Sequence, residues 1–163
     1  MLRRARWIGA LAGVFVALGA VPAFAGGAGT ETFTEHAHEV TFMEATQPNP
    51  CTGEIGTLRV VAKNFVFHLT TQADGDAWAT GTGNGEVTFT PLEAGGVSYR
   101  GHFTQWFGDS FNNKNQVEHS TMTFVLKGTD GSSIHQHARS HFSTNAKGEV
   151  KVEIEVMEPP RCG

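Results

Sequence analysis

The stretch Ser132–His141, SSIHQHARSH, places His135, His137, Arg139 and His141 at every second position. A second His-x-His pair, His36 and His38, lies in TEHAHEV near the other end of the chain. On a β-strand, residues i and i+2 share a face about 6.6–7 Å apart, so each pair presents two imidazoles on one side. Neutral imidazole suits zinc, copper or nickel, and His36, His38, His135 and His137 would together make a divalent-metal site if the fold joined the pairs. Arg139 points to different chemistry. Its fixed positive charge repels a metal ion and attracts a carboxylate or other anion. With His102 and Trp106 from GHFTQWF, the residues His135, His137, Arg139 and His141 are a candidate ligand-binding face. The plainest reading of the same alternation is the solvated side of a strand. No Gly-x-Ser-x-Gly, HExxH or phosphate-cradling glycine loop occurs, so no catalytic residue is assigned. No cofactor is expected beyond zinc or copper on these histidines.

The elements that must carry these residues are strands. GEVKVEIEVM alternates Val150, Val152, Ile154 and Val156 with Lys151, Glu153 and Glu155, and predicts a half-buried antiparallel strand with the valine–isoleucine row on the core. By the same alternation Phe65, Phe67 and Leu69 share a face, as do Val97, Tyr99, Phe103 and Phe107, and Met122, Phe124 and Leu126. Around the histidines the apolar set is Ile134, Ala138 and Phe142, which turns His135, His137, Arg139 and His141 to solvent; His102 and Trp106 oppose Phe103 and Phe107 likewise. His36 and His38 share parity with Val40 and Phe42 and are expected inside, unless a bulge intervenes.

Seven turn-like breaks, near Gln47, Lys63, Asp74, Gly95, Asn113, Gly131 and Gly148, divide the chain into about eight strands. Connections this short make neighbours antiparallel. A meander of eight strands removes its exposed edges by closing, and the expected architecture is an all-β, single-domain, up-and-down barrel, with a two-sheet sandwich as the alternative. Gly81, Gly83 and Gly85 in TGTGNGE precede no helix and mark curvature or a close backbone approach.

Residues 1–25 read as a secretory signal peptide: Arg3, Arg4 and Arg6, an apolar run from Trp7 to about Ala20, and Ala23 and Ala25 in the small-x-small pattern cleaved after Ala25. The apolar run is short for a bilayer span of about 20 residues. Residues 26–163 then form the β-domain, extracellular or in the cell envelope. The formal net charge is −4, and loss of the three arginines makes the remainder more acidic. That composition excludes nucleic acid and anionic membrane surfaces and leaves a small molecule or an extracellular partner. In an oxidising compartment the two cysteines, Cys51 and Cys162, predict a disulfide tying the C-terminus to a point near the start.

The run YRGHFTQWFGDSFNNKNQ, the later KGTDGSSI and the penultimate Cys162 resemble a family of small secreted bacterial β-rich proteins. That family has a signal peptide, a Y-x-G-x-(Y/F)-T-x-W-F-G-like strand and an N-x-K-N loop. The resemblance implies export and an all-β fold and carries over no catalytic residue. The function expected is a secreted ligand-binding or interaction module. Two alternatives stand beside it: a barrel cyclase or isomerase with His36, His38 and Arg100 as interior acid–base groups, and the His-based metal-binding protein.

Overall fold

The computed structural model describes residues 30–112 and 114–163; the signal-peptide reading falls outside them. Nine strands follow in order: β1 (Glu31–Ala37), β2 (Val40–Pro48), β3 (Ile55–Thr71), β4 (Ala77–Pro91), β5 (Tyr99–Phe111), β6 (Asn115–Gly128), β7 (Ser133–Asn145), β8 (Val150–Met157) and β9 (Arg161–Cys162). Every pairing is antiparallel, as the short connections require. Several hairpin turns combine a glycine at positive φ with an Asp or Asn side chain that accepts backbone N–H groups. Gly131 (φ 87°) with Asp130, and Gly148 (φ 74°) with Asn145, are two examples.

The sheet does not close by hydrogen bonding into the expected barrel. Its path is β1-β3-β4-β5-β6-β7-β8, and each margin is built from two short strands. β1 and β2 lie end to end along β3, and β8 and β9 lie end to end along β7. The margins are joined at one end by the expected Cys51–Cys162 disulfide, whose Cα atoms are 5.9 Å apart. The curl also brings Phe42 of β2 to Phe103 of β5, with ring centroids 6.1 Å apart. The disulfide is consistent with an oxidising, extracellular environment. Among the described residues no helix is long and apolar enough to cross a membrane, which says nothing about membrane β-barrels.

The concave side holds the core: Leu58, Val60, Ala62, Val87, Phe89, Tyr99, Phe103, Leu126 and Ile134. Burying a side chain such as Phe103 stabilises the fold by about 1.5–3 kcal/mol. The interior near the disulfide is filled, leaving only about 40 Å³ among Met43, Asn49, Leu58, Phe124, Ile134 and Met157. The TGTGNGE glycines of β4 let aromatic rings lie against its backbone. A Cβ on Gly81 would meet the Phe107 ring, and one on Gly85 would meet the Val61 carbonyl.

Three bulges or breaks correct the expected strand pattern. Lys63 does not end a strand. β3 runs through it with a register shift between Ala62 and Asn64, so Leu58, Val60 and Ala62 before the bulge share the concave face with Phe65, Phe67 and Leu69 after it. The break at Glu39, in the left-handed region at φ 58°, separates β1 from β2 and resets the side-chain parity between them. His36 is therefore exposed on the convex side opposite Val66, against expectation, and His38 is exposed and donates from Nδ1 to the Lys63 carbonyl at 3.2 Å.

The third correction concerns β8. Thr144 pairs with Val150, but Ser143 pairs with Val152, so Lys151 is an extra residue. A one-residue slip moves every later side chain to the opposite face. Val152, Ile154 and Val156 consequently join His141 and Arg139 on the convex side, and Ile154 is 49% exposed. Glu153 and Glu155 turn to the concave side, opposite Phe142 and Ser140.

Candidate functional site

The convex face carries the histidine stretch as expected. His135 and Arg139 are exposed, opposite Val125 and Thr121. His137 is half-buried, and its Nδ1 shares a 2.9 Å hydrogen bond with Thr123 Oγ1. His102 lies opposite Val125 on β6 and Glu86 on β4, and Trp106, opposite Thr121, is 44% exposed. The residues His135, His137, Arg139, His141, His102 and Trp106 thus share one face across β5, β6 and β7.

The four-histidine metal arrangement does not form. His36 on β1 is five strand-to-strand steps from His135 and His137 on β7. Among the described residues no group of three or more His, Cys, Asp or Glu is placed to hold a metal ion. Nor does the interior gather His36, His38 and Arg100. Arg100 is exposed on the convex side, donating to Glu86 Oε1 at 2.9 Å and depressing that carboxyl's pKa. The contact that sequence reasoning missed is His119 against His141. The signal was available, because Leu126, Phe124 and Met122 face in and the β6–β7 register is symmetrical about Asp130 in the TDGS turn.

The concave face bears a second feature, outside the expected set. Over β5–β8, beyond the packed end, lies a cavity of about 220 Å³. Its lining includes Ser120, Met122, Ala138 and Ser140, with Gln105 from β5, Glu118 from β6, and Glu153, Glu155 and Met157 from β8. Ser120 and Ser140 are cross-strand partners with hydroxyls 2.7 Å apart. Gln105 is 9% exposed, and its buried Oε1 accepts no hydrogen bond.

The carboxylates at this end shape its electrostatics. Asp109, opposite Glu118 on the concave face, has its carboxyl pushed up to about 6 by burial, reinforced by the Glu118 charge and opposed by hydrogen bonds from Gln116 and the Ser110 N–H. Asp109 Oδ1 is buried without a partner. Arg139 and His141 also border the cavity, but their register sends their side chains to the convex side. The concave lining is mostly apolar, with the Glu118, Glu153 and Glu155 carboxylates and the paired Ser120 and Ser140 hydroxyls set among its apolar side chains. Met122, Ala138, Phe142 and Met157 supply the apolar wall.

Comparison with known proteins finds no matching family model, no matching curated protein and no matching solved structure.

Proposed function

We propose that this chain is an exported binding module whose curled, barrel-like sheet takes a small cationic hydrogen-bond donor, an aliphatic amine or a guanidinium, in the concave cavity over β5–β8. The observation that carries the reading is the gathering of three carboxylates, Glu118, Glu153 and Glu155, on the lining of one concave cavity beside Gln105. A hydrogen bond to a charged group contributes about 1.5–3 kcal/mol, so a cationic N–H donor set against these carboxylates gains more than a neutral one. A cavity of about 220 Å³ is smaller than the 300–1,000 Å³ typical of drug-sized ligands, which favours a compact amine. The signal-like N-terminus and the disulfide support export.

Titration calorimetry with short alkylamines, alkylguanidines and carboxylates of matched size tests the reading. The amines and guanidines bind and the carboxylates do not. Glu118→Gln and Glu155→Gln each weaken binding at least about tenfold, the loss of one charge-assisted ligand contact of about 1.4 kcal/mol. Equal binding of carboxylates, or binding untouched by both substitutions, refutes it. N-terminal sequencing of the exported product tests cleavage after Ala25.

A further inference from the structure

We propose that His119 and His141 form a two-imidazole clamp for a borderline transition-metal cation, Cu(II) first among them, on the convex face. The two residues are direct cross-strand partners on β6 and β7. Their ring centroids are 4.2 Å apart, the rings are inclined at 35°, and the two Nδ1 atoms are 3.1 Å apart.

That separation is what one metal ion requires. With metal–nitrogen bonds of about 2.0–2.1 Å and ligand angles between square-planar and tetrahedral, neighbouring donor nitrogens lie about 2.9–3.4 Å apart. The two Nδ1 atoms already stand at the spacing of two ligands of one ion, and rotation of the rings about their side-chain bonds turns both lone pairs toward it. Without metal, two neutral imidazoles satisfy this contact only if one ring carries its proton on Nδ1 and the other on Nε2. An ion accepts both lone pairs at once. His135 and His137 lack this geometry, because neighbours on one strand face stand about 6.6–7 Å apart.

The surroundings leave the ion accessible. His119 is exposed and His141 half-buried, so water or an external ligand completes the coordination, and the site is open in the manner of a binding or catalytic metal and unlike a closed structural one. On one side, the neighbour of His119 is Gly108, and the Trp106 ring lies against that glycine. On the other, the neighbour of His141 is Ile154, brought to this face by the Lys151 bulge. Arg139 is the nearest fixed cation along β7; it is exposed, so water screens its repulsion. The clamp lies on the opposite face from the amine cavity, so neither proposal depends on the other.

The test is a titration of the protein with CuSO₄ in a non-coordinating buffer at neutral pH, followed by calorimetry and by tryptophan fluorescence. One ion binds saturably and quenches Trp106. His119→Ala and His141→Ala each weaken binding at least about tenfold, since loss of even an outer-shell partner typically costs 10–100-fold in metal affinity. His135→Ala and the double substitution His36→Ala/His38→Ala leave binding unchanged, and Trp106→Phe removes most of the quenching while calorimetric binding persists. Absence of saturable binding, parent-like affinity in His119→Ala or in His141→Ala, or quenching at full strength in Trp106→Phe overturns the assignment. Circular dichroism identical to the parent shows that these surface substitutions leave the sheet intact.

Discussion

Replacing Cys51 and Cys162 together with serine removes the covalent tie between the two margins of the sheet. The cysteines are 111 residues apart in sequence, and the bond closes the chain from the end of β2 to the C-terminus into one loop. In the chain-entropy treatment a loop of this length restricts the unfolded ensemble by about 16 cal/mol/K, or about 4–5 kcal/mol at 25 °C. Among the described residues no hydrogen-bonded strand pair joins the margins, so nothing in the described pairing replaces the tie. For a chain of this size each kcal/mol moves the midpoint by about 3–4 °C, so the double variant melts about 15 °C below the parent. Urea unfolding read by far-ultraviolet circular dichroism gives the free energy directly. The m-value rises in the variant, because an uncrosslinked unfolded chain exposes more surface. Parent protein reduced with dithiothreitol reproduces the double variant. A loss under about 1 kcal/mol would refute the reasoning, because it would show that the unfolded chain is not released when the bond is absent.

Two further predictions concern single side chains. Asp109 has a folded-state pKa of about 6 against an ordinary 3.8, so its protonation favours the folded state, fully below pH 3.8, and that contribution is lost as pH rises through 6. Asp109→Asn therefore stabilises the protein at pH 7.5, by about 1 kcal/mol once solvent screening at this half-buried site is allowed for, and the gain shrinks toward pH 4; an equal gain at both values in urea unfolding contradicts the burial argument. Gly81→Ala puts a methyl group where the Phe107 ring lies and costs about 1–3 kcal/mol by overpacking; a thermal midpoint within about 1 °C of the parent would show that the ring moves away freely.

Much of the candidate face was legible in the residues themselves. Alternation of Ile134, Ala138 and Phe142 with His135, His137, Arg139 and His141 sent the histidines outward, because successive side chains of a strand point to opposite sides and the apolar set seeks the core. Several hairpin turns announced their positions through Asp-Gly and Gly-Gly pairs, and the disulfide followed from two cysteines in a chain that reads as exported. The glycine run TGTGNGE signalled a close approach, and the Phe107 ring and Val61 carbonyl are what approach it.

Side-chain parity was not legible wherever a single residue was inserted. Lys63 read as a break and is a bulge; Glu39 interrupts a pattern that read as continuous; and Lys151 turns the Val152–Ile154–Val156 row outward and Glu153 and Glu155 inward. Period two says which residues share a face but never which face is inside, and each extra residue reverses the answer for everything after it. The sequence by itself thus determined strands, turns, the covalent tie and the outward histidines of β7. Only the tertiary structure decided that the margins stay unpaired, that β8 turns its acids into the concave cavity, and that His119 meets His141, because these depend on register between strands, where one residue of slip inverts a face.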